Sequence, residues 1–356
     1  MTTAFEPVRV GGRELPNRIA MAPMTRSRAH GPGATANELM ATYYEQRAGA
    51  GLIVSEGIQP SVVGQGYPDT PGLHSAEQVE AWRATTDRVH AAGGTIFAQL
   101  MHTGRIGDAG LLPDGLSPVG PSAVAAAGEL YTHAGMKPFP MPRALTGAEI
   151  TETIADFARA AGNAIEAGFD GVELHGANGY LIHQFLSSNA NRRTDGWGGT
   201  VEGRIRFAVE VATAVAETVG GERLGLRISP GSPLHDIAED DVEQAYKALL
   251  AGIADLDLAY LHIMESAGLR ELTTSLRGQW PGALILNPNT APAPTGPDAL
   301  SLVEDGTADL VSFGALFLAN PDLPARLAAG GPFNAPDRAT MFGGDHRGYI
   351  DYPALT

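Results

Sequence analysis

One stretch, HGANGYLIHQFL at residues 175–186, gathers the side chains of greatest chemical interest. His175 and Asn178 can both donate hydrogen bonds to one oxygen, and Tyr180 offers a weakly acidic proton a little further along. Such a trio suits polarising a carbonyl and protonating a neighbouring carbon. Other polar residues close β-branched runs: Thr25 after RIAMAPM, Glu56 and Gly57 in LIVSEGI, Gln99 and His102 around TIFAQLM, and Arg227 inside LGLRISP. A guanidinium in an apolar run needs an anionic or electron-rich partner, because burying it alone costs several kcal/mol. Hydrolase and nucleotide motifs are missing: there is no G-x-S-x-G, no H-E-x-x-H, no P-loop and no G-x-G-x-x-G after a strand.

The elements that must carry these residues alternate. Eight short apolar runs, at 18–24, 52–58, 95–101, 171–176, 224–230, 258–264, 283–289 and 309–315, are separated by stretches with helical periodicity. Ser75 is a helix N-cap, and T-G-A-E at 146–149 is a capping box. Strands apolar on both faces, alternating with helices, imply a parallel sheet covered by helices. Eight such units over about 300 residues predict a (β/α)8 TIM barrel, whose site lies at the C-terminal ends of the strands. The whole chain, 1–356, then reads as one domain. The rhythm breaks once, at 102–145, which is rich in Gly, Pro and Ala. Because it follows the third strand, it is expected to cap the C-terminal face.

Composition narrows the function. The 356 residues hold 24 Lys+Arg against 40 Asp+Glu, a formal net charge of -16, which disfavours nucleic acid and anionic membranes as partners. There is no cysteine, so disulfides, thiolate zinc sites, iron–sulfur clusters and thiol nucleophiles are excluded. No metal site is expected. No run reaches the roughly 18 apolar residues of a membrane span. The opening MTTAFEPVRV has neither a basic start nor an apolar signal core, so a cytoplasmic location is the expectation. The expected partner is a small molecule, and assembly into a homo-oligomer is compatible with the composition.

The segments NRIAMAPMTRSRA, FAQLMHTGR, KPFPMPRALT, GFDGVELHGANGYLIHQFLSSNANRRTDGWGG, FLANPDLPARL and GYIDYP resemble the old yellow enzyme family of flavin-dependent ene-reductases, over nearly the whole chain. The resemblance implies a TIM barrel holding FMN at its C-terminal mouth, with NADPH or NADH as donor. By the same resemblance Thr25 tunes the flavin, Pro23, Met24 and Gly57 give backbone contacts, and Gln99 and Arg227 meet the pyrimidine edge. His175 and Asn178 grip the carbonyl of an α,β-unsaturated substrate, and Tyr180 protonates its α carbon, giving net trans addition. Tyr67 and Tyr349 match aromatic residues of the substrate pocket.

The chain departs from the family at the phosphate end. Ala315 stands where an Arg belongs, and the seventh-strand loop reads ILNPNTAPAPTG. Losing that Arg removes a bond of about 1.5–3 kcal/mol, leaving the Gly314 amide as a phosphate contact. The departure motivates an alternative, a reduced 8-hydroxy-5-deazaflavin coenzyme in place of FMN. A reading of another class is a cofactor-poor barrel with a binding role. His183 and His262 are expected to pack, His102 to orient its loop, and the acidic run at 239–241 to complement a helix dipole.

Overall fold

The computed structural model describes residues 3–31 and 33–355. Its centre is a closed barrel of eight parallel strands. We number these β1 (Ile19–Met21), β2 (Leu52–Ile58), β3 (Ile96–Leu100), β4 (Gly171–Gly176), β5 (Leu224–Ile228), β6 (Tyr260–Met264), β7 (Ala283–Asn287) and β8 (Leu310–Phe313). All eight fall within the apolar runs read from the sequence. Side chains alternate across each strand. Ile96, Ala98 and Leu100 pack under the helices, while Phe97 joins Ala20, Leu52, Tyr260, Ile285 and Leu310 inside the barrel.

The helices begin where local chemistry dictates. Ser75 and Gln78 form a reciprocal capping box at the start of Ala76–Ala91. Thr146 and Glu149 do the same for Gly147–Glu166, whose buried stripe includes Ile150, Ile154, Phe157 and Ala161. The run at 239–241 leads into the helix Val242–Gly252, with Asp241 at its N-cap position. Asp241 takes both oxygens to the Arg204 guanidinium, and Glu239 turns inward beside His183 and accepts from the Gly231 amide. These partners fix the two carboxylates at the start of that helix.

Two additions decide which end of the barrel opens. A hairpin of Val8–Val10 with Arg13–Leu15 lies ahead of β1, and its Val10 and Leu15 pack into the interior cluster. It plugs the bottom. The segment after β3 holds a second hairpin, Glu129–Thr132 with Gly135–Pro138, and a short pair of Val119–Gly120 with Arg143–Ala144. Arg193, from the loop after β4, anchors this segment by donating to the carbonyls of Pro121 and Leu145. No helix among the described residues is long and apolar enough to cross a membrane.

The chain's last segment is hung on two buried guanidiniums. Arg26 donates to the carbonyls of Met341 and Gly348. Arg28 donates to those of Thr340, Asp345 and Arg347. Both cations also lie against the Tyr349 ring, at 4.9 and 4.4 Å from its centroid.

Candidate active site

Strand register assembles the interior polar set. His175 pairs with Arg227, Glu173 with Gln99, and Arg227 with His262. In neighbouring parallel strands, residues in register point to the same side, so these groups meet inside the barrel. Gln99 donates to Glu173 at 2.8 Å, and Tyr260 donates to the other carboxylate oxygen at 3.1 Å, where the His262 ring also lies at 2.8 Å. Burial would raise the Glu173 carboxyl; His262, Arg227 and Gln99 outweigh it and hold the group below its ordinary value. Glu173 gives Arg227 a buried negative charge nearby without an ion-pair contact, and the guanidinium donates to Asn287 Oδ1 at 3.1 Å. The sequence carried the signal, a charge inside GVELHG, of the same kind as the Arg in LGLRISP.

Above this layer lies a cavity of about 790 Å³, within the size range of small-molecule sites. Pro23, Thr25, Gln99 and Arg227 share its wall with His175, Asn178, Tyr180 and Tyr67. Eight of the site residues expected from the sequence are therefore brought together. Met24, Gly57 and Gly314 stand off the lining. A Cβ on Gly57 would fall 2.5 Å from the Met101 side chain, so Gly57 sits behind Met101, which does line the cavity. A Cβ on Gly314 would meet the Met24 sulfur at 3.7 Å. Tyr349 is a correction. Its ring is fully buried, stacked on Tyr43 at 4.2 Å and flanked by Arg26 and Arg28. Cation–π and stacking partners outside the cavity hold it; the nearby lining comes from Phe342, Gly343 and Gly344 instead.

The turn after β4 aims the central trio. Asn178 and Gly179 take positive φ, 57° and 79°, a conformation that Asn and Gly tolerate best. The Asn178 amide donates to Ser229 Oγ at 2.8 Å, and the Gly179 amide donates to His183 Nδ1 at 3.0 Å. His183 is thus a prop under the turn, its Nε2 facing Tyr246. His102 similarly accepts from the Gly104 amide, and burial pushes its pKa down to about 3.

Of the buried polar atoms without a hydrogen-bond partner among the described residues, three belong to residues that line the cavity: His175 Nδ1, Asn178 Oδ1 and Arg227 Nε. Unsatisfied buried polar atoms clustered on a cavity wall call for a ligand. Burial, reinforced by Arg227, drives the His175 imidazole well below its ordinary value, so it is neutral. Burial raises the Tyr180 phenol, against which Tyr67 and Arg227 work. Around His175 the wall therefore holds one guanidinium, a neutral imidazole, carboxamides and a protonated phenol, and the acidic side chain of Asp69 lines the cavity as well. A planar ring with hydrogen-bonding edges and an anionic reduced form fits the guanidinium and Gln99. A carbonyl oxygen fits the His175 ring N–H and the carboxamide N–H of Asn178, whose Oδ1 is left to accept from a donor on a ligand. No group of three or more metal-ligating side chains is arranged around an ion among the described residues.

His235 is a lining residue that the sequence reading missed. It sits in the loop after β5 at φ 54°. Its Nδ1 reaches the Asn178 carbonyl at 2.5 Å and its Nε2 reaches Tyr67 Oη at 3.2 Å. Tyr131 and His133 of the hairpin after β3 also reach the cavity.

A model of the NADH:flavin oxidoreductase / NADH oxidase family matches residues 3–334. The chain is 40% identical to a probable flavin mononucleotide-dependent alkene reductase of Leishmania infantum, covering 99% of this chain and 97% of that one. It is 40% identical to 12-oxophytodienoate reductase 1 of Oryza sativa subsp. japonica, over 98% of this chain and 92% of the relative. Among solved structures, the old yellow enzyme homologue from Zymomonas mobilis superimposes with a TM-score of 0.94 at 40% identity, covering 99% of this chain and 100% of that one. Morphinone reductase in complex with tetrahydroNAD superimposes with a TM-score of 0.93 at 41% identity, covering 100% of this chain and 98% of the other.

Proposed function

The chain belongs to the NADH:flavin oxidoreductase / NADH oxidase family, that of the old yellow enzymes, and on that premise we propose that it is an FMN-dependent ene-reductase acting on α,β-unsaturated carbonyl compounds with a nicotinamide donor. The observation that carries this reading is the set of unpartnered atoms of His175, Asn178 and Arg227 around one cavity whose wall also bears Tyr180. The family carries flavin in its description and one relative is flavin mononucleotide-dependent by name, while nothing lends support to a deazaflavin in its place. Bound FMN supplies the hydride.

The protein's own groups do the rest. Gln99, oriented by Glu173, and Arg227 hold the ring's polar edge, and Thr25 lies on the same wall. His175 and Asn178 bind the substrate carbonyl and stabilise the charge that develops on its oxygen. Each is a neutral donor already fixed by the β4 turn, so little reorganisation accompanies the reaction. Tyr180 holds a proton at Oη for the α carbon; its buried phenol stays protonated through the neutral range. The hairpin residues Tyr131 and His133 add to the lining of the same cavity.

Two measurements test the reading. The ligand released from purified protein is expected to have the absorption spectrum and mass of FMN. The loaded protein is expected to oxidise NADPH or NADH in the presence of 2-cyclohexenone and yield cyclohexanone. Protein that binds no FMN when FMN is supplied, or binds it and leaves the enone unreduced, overturns the proposal.

A further inference from the structure

The cavity wall carries a hydrogen-bond chain that the reaction as described leaves idle. Tyr180 Oη lies 3.1 Å from Tyr67 Oη, and Tyr67 Oη lies 3.2 Å from His235 Nε2. The other ring nitrogen of His235 faces the Asn178 carbonyl. A carbonyl oxygen only accepts, so Nδ1 carries the hydrogen, and in the neutral ring Nε2 is a bare acceptor. Tyr67 is the one partner of Nε2 among the described residues, and it donates there. That commits the single Tyr67 hydrogen, so Tyr180 donates to Tyr67. This is the direction that satisfies every member. It also turns the Tyr180 proton away from a bound acceptor.

The direction reverses only when Nε2 gains a proton. We propose that His235 is the source of the proton that Tyr180 delivers, relayed through Tyr67, and that its protonated form turns the Tyr180 hydroxyl toward the substrate. The inference rests on Tyr180 being the donor. In the step, the Tyr180 O–H bond breaks as a C–H bond forms at the α carbon, using the electron pair left there by hydride addition at the β carbon. Tyr67 passes its proton to the Tyr180 oxygen, and His235 passes its Nε2 proton to Tyr67. The imidazolium becomes imidazole, and one proton from solvent restores it.

The loop around His235 is built to hold this aim. His235 and Asp236 both take positive φ, 54° and 60°. The buried Arg105, from the segment after β3, donates to both of their carbonyls at 3.0 and 2.7 Å. Such strain persists only where surrounding contacts over-determine it, and it clusters at functional sites. The groups facing the ring are Tyr67 from the loop after β2, His175 in β4, Tyr180 after β4, His183 on the following helix, Arg105, and Asp236 beside it. Burial lowers the ring's pKa, and Arg105 and His183 lower it further, while the Asn178 carbonyl works the other way. At neutral pH the neutral ring dominates, and the protonated fraction grows as pH falls.

The test uses the FMN-loaded protein and two readouts. In nitrogen-15 spectra of histidine-labelled protein, with His235 assigned by its loss in His235→Gln, the expected state at alkaline pH is the Nδ1–H tautomer. An Nε2–H tautomer overturns the inference. In single-turnover oxidation of the reduced enzyme by 2-cyclohexenone, the wild-type rate is expected to rise as pH falls through one titration. In His235→Gln a carboxamide N–H faces Tyr67 at every pH, so that limb is expected to vanish; Tyr67→Phe, which cuts the chain, loses it too. An unchanged limb in both variants overturns the inference while leaving the function proposed for the site intact. A normal single-turnover rate in Tyr180→Phe overturns the donor role itself.

Discussion

Tyr180→Phe is expected to slow product formation by about 10²- to 10⁴-fold, the usual contribution of a positioned general acid. Reduction of the flavin by the nicotinamide should stay close to the wild-type rate. Stopped-flow measurement of the two half-reactions separates them. The substitution removes one hydroxyl and keeps the ring, which packs edge-on against His175 at 4.9 Å and Tyr67 at 6.3 Å. Fold and cofactor are therefore expected to survive. Because burial raises the phenol above 10, the wild-type donor is not depleted by ionisation in the neutral range. Loss of the cofactor in this variant would show that Tyr180 supports the ring and not the proton.

His175→Ala and Asn178→Ala are each expected to lower kcat/KM for the enone by about 10²- to 10³-fold, the equivalent of roughly 2.7–4 kcal/mol for one oxyanion donor. The double variant should lose less than the product of the two, since both act on one oxygen. Steady-state kinetics on all three decides this. The pH behaviour follows from the direction of the His175 shift. Its pKa lies well below 6.5, with burial the main cause, so the neutral donor is fully present at and above neutrality. It is lost only as pH falls through that depressed value. Across the neutral range the carbonyl grip is flat, and any limb there originates in another group.

Much of this architecture was readable because it rests on local patterns. The eight barrel strands are apolar runs bounded by Gly and polar residues, and the Thr146 capping box and the Ser75 N-cap follow from local spacing. The strand-end residues came together because parallel register converts position along a strand into depth in the barrel. What escaped depends on distant partners. His235 reaches the cavity because Arg105, 130 residues earlier in the chain, pins its loop in a strained form; nothing in SPLHDI announces that. Tyr349 carries the right residue type, yet Arg26 and Arg28 draw it into a stack with Tyr43. Each strand of the N-terminal hairpin spans only three residues, with Arg13 and Glu14 exposed, too short for periodicity to register. Glu239 sits in an acidic run whose members diverge, one to His183 and one to Arg204.

The hanging of the last segment on Arg26 and Arg28 has a dynamic consequence. The stretch from β1 that contributes Pro23 and Thr25 to the wall continues directly into those two guanidiniums, and they grip the backbone on either side of Phe342, Gly343 and Gly344. This wall is neither sheet nor helix, so its order depends on few bonds, and local opening is cheapest in such places. Filling the cavity should therefore be felt at the far end of the chain. Amide hydrogen exchange across 340–348 is expected to slow when a carbonyl ligand is added, making the C-terminal amides a reporter of occupancy that needs no turnover.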